Sequence, residues 1–323
     1  NICGTYFLLV FDFCILPIEK LIIKIFMFPK FKINNELLGI LYMLLCQFSF
    51  ATNDAFVKVI YQNYDEIFVL NQIIFIRGIF TLLFILLFLY IKKELNFKSI
   101  FTSNELRVRG LLESLAALFF FIGIALLPFA NVYILLSMAP ILLTAFGAIF
   151  LKERVRWRRW SAVLLGFIGV VVVINPGQLE SSYYFIFPII AAIMLSIRDM
   201  YTKNFKKNYP SLQIAFMTCF VVTILFGLLS IYRFYDFSLM DIFILFIAAF
   251  FLALGYIFSV ATIKIALVSV TSTFRYSVIL WGIIYGYFLF NEVPSTNSYI
   301  GASIIIISGM IIISRQKKLG KIK

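Results

Sequence analysis

Apolar runs of about 20 residues recur from residue 37 to residue 314, broken only by short polar connections. A run of that length crosses the hydrocarbon core as one α-helix, since a rise of about 1.5 Å per residue covers roughly 30 Å in 20 residues. Inside lipid the backbone must satisfy its own hydrogen bonds, which leaves helices or closed barrels. A barrel strand alternates polar and apolar residues, and no such alternation is sustained here. Composition points the same way: 63% of residues are hydrophobic, 13% are charged and the mean hydropathy is +1.03, too little charge for a soluble surface. The chain is expected to be an all-α integral membrane protein.

Polar breaks divide the runs into ten spans, near 37–60, 67–91, 107–127, 131–151, 157–174, 183–203, 211–232, 241–264, 268–290 and 296–314. Turn-forming residues punctuate them, as in Asn175-Pro176-Gly177, Tyr209-Pro210-Ser211 and Pro294-Ser295. The net charge of +13 is not a nucleic-acid signal, because the lysines and arginines cluster in alternate connections. Lys92, Lys93, Lys98, Arg107 and Arg109 follow span 2; Lys152, Arg154, Arg156, Arg158 and Arg159 follow span 4; Lys203, Lys206 and Lys207 follow span 6. Connections 1–2, 3–4, 5–6 and 9–10 carry neither residue type. Basic connections face the cytoplasm, so both termini are expected there, in a bacterial inner membrane.

Histidine is absent, which excludes His-based acid–base catalysis and His-ligated metals. The four cysteines, Cys3, Cys14, Cys46 and Cys219, are scattered without a CxxC pair and read as buried hydrophobes. No cofactor or metal site is expected. Residues 1–35 form an arm in which 18–33 mix lysines with aliphatic and aromatic side chains, as an interfacial helix does. Position 1 is Asn rather than Met, so a miscalled start is the other expectation for this arm.

An internal repeat organises the rest. Shifted by 145 positions, Asp54 falls on Asp199, Lys58 on Lys203 and Asn63-Tyr64 on Asn208-Tyr209. Shifted by 139, Gly147 falls on Gly286 and Glu153 on Glu292, so that GAIFLKE answers GYFLFNE. Each half holds five spans, an odd number, so the halves must insert in opposite senses. The expected units are repeats at 36–175 and 176–315, followed by a basic cytoplasmic tail at 316–323. Inverted repeats of this kind recur in secondary transporters.

SFATNDAFVK in span 1, FIRG at 75–78, APILLTAFGAIFLKERVRWRRWSAVLLGFIGVVVV at 139–173 and TSTFRYSVILWGIIYGYFLFNEVP at 271–294 resemble the drug/metabolite transporter superfamily, in its ten-helix form with two EamA-type domains. The resemblance covers about residues 36–315. Within it, the Asn-Asp of span 1, the Arg of span 2 and the Arg-Tyr of span 9 resemble bacterial S-adenosylmethionine uptake carriers. It implies a secondary carrier with alternating access.

Ionisable side chains inside spans cost about 2.5–3.5 kcal/mol each at a helix centre, so each needs a partner or a role. Asp54 and Lys58, and likewise Asp199 and Lys203, stand four apart and could neutralise themselves, with the lysines reaching the headgroups. Asp54 and Asp199 lie deeper and are candidates for a cavity-facing role. Arg77 and Arg275 have no acidic neighbour one turn away; Glu113 lies at the depth of Arg275 and could bridge to it. In the functional reading Glu113 or Asp54 holds a coupling proton or a cation, while Arg77 and Arg275 grip a carboxylate bidentately. Tyr133, Ser137, Tyr256, Tyr276 and Trp281 could complete a pocket, and Pro140 could hinge span 4.

These residues together predict a secondary transporter of a small polar, amino-acid-like metabolite, with S-adenosylmethionine among the substrates considered. An exporter of amino acids, amines or drugs on the same fold is the alternative. An intramembrane lipid-modifying enzyme would need a metal cluster or a polar catalytic loop, and neither is written here.

Overall fold

The computed structural model describes residues 35–64, 66–150, 157–175, 183–265 and 272–318. The N-terminal arm, Glu153 and the end of the basic tail lie outside the described residues, and so do the expectations placed on them. Every regular element among the described residues is helical. In chain order these are α1 (Asn35–Tyr61), α2 (Val69–Ile91), the short α3 (Phe97–Thr102), α4 (Asn104–Leu126), α5 (Phe129–Leu136), α6 (Ala139–Phe150), α7 (Trp157–Ile174), α8 (Ile186–Lys203), α9 (Ser211–Ser230), α10 (Leu239–Ile265), the 3-10 turn η1 (Ser272–Tyr276), α11 (Ser277–Phe290) and α12 (Thr296–Lys318).

Among the described residues, seven helical stretches are long and apolar enough to cross a membrane: 37–61, 69–91, 104–126, 129–149, 183–203, 211–230 and 239–259. The other three expected spans appear as shorter apolar helices, Trp160–Ile174, Phe274–Phe290 and Thr296–Ile312. Side chains such as Leu83, Leu164, Ile168, Val171, Phe243 and Leu280 are exposed, and a lipid-facing surface requires such residues.

Helix ends follow local chemistry. Ser103 accepts from the Leu106 N–H at 3.3 Å and caps α4, with Glu105 in the first turn complementing the helix dipole. Pro128 and Pro210 open α5 and α9 from an extended conformation. Asn291 ends α11 with a left-handed φ of 52°, and the Glu292 N–H returns to the Gly286 carbonyl at 2.8 Å. That C-terminal cap gives the Gly-x5-Glu pattern a physical meaning, because it fixes where the glutamate side chain starts.

Packing interleaves the two halves. α1 lies on α10, α2 on α9, α4 on α8 and α9, α7 on α12, α6 on α8 and α11 on α1. Exchanging spans one to five with six to ten carries these pairings into one another. At the α7–α12 crossing a Cβ on Gly301 would stand 2.7 Å from the Gly169 carbonyl, so the two backbones touch there.

Two sets of tertiary bonds mark the two faces. On one, Tyr64 meets Asp241 at 2.8 Å, Gln72 exchanges bonds of 2.9 and 2.8 Å with the Tyr235 backbone, and Ser298 meets Asn131 at 2.8 Å. On the other, Gln213 donates to the Glu94 carbonyl at 2.7 Å and Ser103 meets Tyr209 at 2.8 Å. α1 ends at the first face and its repeat mate α8 at the second, so the two run in opposite senses.

Span 4 is interrupted beside Pro140, the residue the sequence marked as its candidate hinge. α5 stops at Leu136, residues 137 and 138 form a turn, and α6 starts at Ala139 with Pro140 in its first turn. Proline has no N–H to give the carbonyl four residues back, and its ring crowds that position. Span 9 changes character at the matching place. At the 139-residue shift Ser137 falls on Tyr276, where η1 gives way to α11.

Candidate functional site

Asp54 sits on α1 beside Asn53, turned toward α2 and α5. Its Oδ2 accepts from the Tyr133 hydroxyl at 2.6 Å and its Oδ1 from the Asn53 amide at 2.7 Å. Arg77 Nη1 stands 4.0 Å from the same Oδ1 and donates to Asn53 Oδ1 at 3.2 Å. The guanidinium lies 5.0 Å from the centre of the Phe121 ring, a cation–π contact. Both charged residues are buried, and Arg77 Nε has no partner among the described residues. The ion pair is loose, Asn53 bridges it, and donor capacity is left over.

Lys58 does not pair with Asp54 and does not reach a headgroup layer, which corrects the expectation of a self-neutralising pair. It is only 4% exposed. Its ammonium donates to Glu292 Oε1 at 2.6 Å and to the Leu127 carbonyl at 3.1 Å, with the Phe290 ring centre 4.8 Å away. Glu292 Oε2 accepts from the Phe129 N–H, the first of α5, at 2.6 Å. One buried latch therefore ties α1, the α4–α5 junction and the end of α11 at the Tyr64 face. The expected second pair is also corrected: Asp199 bonds Arg198 at 2.9 and 2.6 Å, and Lys203 is exposed.

Toward the opposite face Arg198 bridges two carboxylates, Asp199 and Glu113. The expected Glu113–Arg275 bridge is absent, since Arg198 reaches Glu113 from the facing helix first. Arg275, in η1, is exposed, and no carboxylate among the described residues is within ion-pair distance of it. Arg109, placed by the sequence among loop charges, points inward from α4 to Thr202 at 3.1 Å and to Thr218. Its signal was present, because it stands one helical turn before Glu113.

The turn between α5 and α6 and the junction of η1 with α11 are matching places in the repeat. Ser137 donates to the Ile134 carbonyl at 2.6 Å, and Ser196 of α8 donates to the Ala139 carbonyl at 2.9 Å across the first break. At the second, the Tyr276 hydroxyl, Ser277 Oγ and Trp281 Nε1 are buried without a hydrogen-bond partner among the described residues. Ser277 carried no sequence signal beyond being a hydroxyl in an apolar run. Tyr276 fits only because position 309 is glycine, whose Cβ would fall 1.7 Å from that hydroxyl. Trp281 meets Phe48 at 4.9 Å between ring centres, and Tyr285 bonds Thr52 at 2.5 Å, so α1 and α11 share an aromatic wall.

Of the residues expected to act together, Asp54, Arg77 and Tyr133 do meet, and Glu113 and Asp199 meet through Arg198. Tyr276 and Trp281 stand at the η1–α11 junction; Ser137 and Pro140 stand at the break between α5 and α6. No group of three potential metal ligands occurs among the described residues. An arrangement of buried cations and carboxylates with spare donors beside broken helices can hold a polar ligand at mid-depth.

The profile of the EamA-like transporter family matches residues 37–175 and again 182–315. The S-adenosylmethionine uptake transporter of Rickettsia conorii is 25% identical over 288 residues, covering 88% of this chain and 96% of that one. The pseudopaline exporter CntI of Pseudomonas aeruginosa is 25% identical over 286 residues, 87% of this chain and 97% of its own. A solved crystal structure superposes with a TM-score of 0.57 over 88% of this chain and 98% of its own, at 15% identity, a likeness of fold.

Proposed function

We propose that this chain, which belongs to the EamA-like transporter family, carries a small zwitterionic, amino-acid-like metabolite by alternating access, with S-adenosylmethionine as the first substrate to test. Three buried polar atoms without partners among the described residues where η1 passes into α11, together with the interrupted helix α5–α6 at the matching place in the repeat, carry the reading. Buried donors without acceptors cost free energy, and a polar ligand between the halves would satisfy them.

In this reading the ammonium or sulfonium end of the substrate lies by Asp54 and over the Phe48–Trp281–Tyr285 wall, where ring faces attract onium groups and stack on a nucleobase. Its carboxylate faces guanidinium groups. Asp54, loosely paired, is the better proton or cation site, because Glu113 is already engaged by Arg198. The Lys58–Glu292 latch closes one face, taken as the outer one from the basic connections on the other side. Both termini then lie in the cytoplasm of a bacterial inner-membrane protein.

Labelled S-adenosylmethionine should enter proteoliposomes holding the protein, and unlabelled substrate inside should speed its entry by exchange. Uptake no faster than in empty vesicles would remove this substrate. The exporter at 25% identity favours outward movement of amino-acid-like or amine compounds as the second reading. Inside-out vesicles separate the two, since an exporter accumulates substrate in them against its gradient.

A further inference from the structure

Arg109 makes no direct ion pair among the described residues. Arg198 alone serves both Glu113 and Asp199, so those three groups sum to one negative charge. Neither Arg109 nor Arg275 joins this ion-pair cluster. No carboxylate among the described residues lies within ion-pair distance of either. Glu113, the natural partner one turn along α4, is turned to Arg198 instead.

The surroundings of Arg109 are built to aim it. Thr202 donates its hydroxyl proton to the Arg198 carbonyl at 2.7 Å, and Thr218 donates to the Ile214 carbonyl at 2.7 Å. Each hydroxyl oxygen is then left as an acceptor, and each accepts from Arg109, Thr202 from Nε and Thr218 from Nη1. Two neutral acceptors on two helices thus orient the fork without neutralising it. Those two bonds use two of its five N–H donors, and a partly buried cation held only by neutral acceptors gains from a charged one.

We infer that Arg109, aimed by Thr202 and Thr218, forms an anion-receiving site for a ligand carboxylate at the face opposite the Lys58–Glu292 latch. Arg77 is not the principal carboxylate clamp, because Asn53, Asp54 and the Phe121 ring already engage it. The inference deepens the carrier reading by naming the end that recognises the acid group, and it can stand for a different carboxylate if S-adenosylmethionine is the wrong substrate.

The test is thermal unfolding of the detergent-purified full chain against increasing S-adenosylmethionine, methionine or succinate. Decarboxylated S-adenosylmethionine, choline and phosphatidylglycerol serve as contrasts, in wild type, Arg109→Gln and Arg109→Lys. A carboxylate-bearing probe should stabilise wild type, its decarboxylated form should not, and Arg109→Gln should weaken apparent Kd by about tenfold or more. Arg109→Lys keeps the charge and loses the fork, so it falls between and reads the effect even if the glutamine variant does not fold. Stabilisation by methionine or succinate but not by S-adenosylmethionine, lost in the variants, supports the anion site and overturns the substrate choice. Equal binding of carboxylates by wild type and both variants overturns the site and leaves the carrier reading intact. So does Arg109-dependent stabilisation by phosphatidylglycerol alone, which assigns the arginine to lipid phosphate. No stabilisation by any carboxylate overturns it as well.

Discussion

Asp54 and Arg77 show how a buried pair can hold charge and remain responsive. At 4.0 Å, with Asn53 between them, they gain less from each other than a direct bridge would, and one guanidinium nitrogen stays free. Removing one partner strands the other in an apolar interior, at a cost of about 3–5 kcal/mol. Arg77→Ala should therefore lose transport and also lower the melting temperature, whereas Arg275→Ala should lose transport at nearly wild-type stability, since Arg275 is exposed and unpaired among the described residues. Uptake and thermal unfolding of the two purified variants check this. Equal melting losses, or wild-type uptake in both, would contradict it. Charged residues in apolar runs are conspicuous, so Asp54, Arg77, Glu113 and Asp199 could be picked from sequence. Their partners could not, because pairing depends on how each helix is rotated. Lys58 stands one turn from Asp54 and yet bonds Glu292, 234 positions away. Arg109 was hidden by its nearness to a basic connection.

The informative elements are the interrupted ones. Hydropathy runs smoothly through 129–149, so composition does not register that the backbone breaks at residues 137 and 138. Pro140 marked the place without showing that the helix divides before it. The 3-10 turn at the matching place was less visible still, because Tyr276 and Ser277 have ordinary helix-compatible neighbours. The repeat sets the turn at 137 and 138 against the η1–α11 junction. Restoring the missing N–H with Pro140→Ala lets α5 and α6 fuse by completing a bond to Leu136. The variant should be at least as stable as wild type and carry substrate more slowly, measured as initial uptake at matched protein density. Unchanged uptake would show that the break serves packing alone.

At the scale of the molecule, the interleaving of the halves decides what can move. α7 and α12 meet backbone to backbone at Gly169 and Gly301, which suits a rigid hub. The ends of α1, α4 and α11 meet through polar bonds at Lys58 and Glu292, which can be exchanged for water. Glu292→Gln keeps the shape and the acceptor for Phe129 while removing the charge that holds Lys58. It should raise the reactivity of cysteines placed just below the latch toward impermeant reagents added from that face, and unchanged reactivity would mean the latch does not gate. The all-helical membrane fold and the repeat were legible because lipid imposes long apolar runs and duplication leaves matched charges. Which helix lies on which was not, since an apolar helix can pack on any other.

Alternating access at the η1–α11 junction is tested most directly by a single cysteine at position 277, Ser277→Cys, with the native cysteines replaced. Sealed vesicles of either orientation would be treated with a membrane-impermeant maleimide, with and without S-adenosylmethionine. The account predicts labelling from both faces, slowed by bound substrate. Labelling from one face alone under all conditions, or only by lipid-soluble reagents, would contradict it.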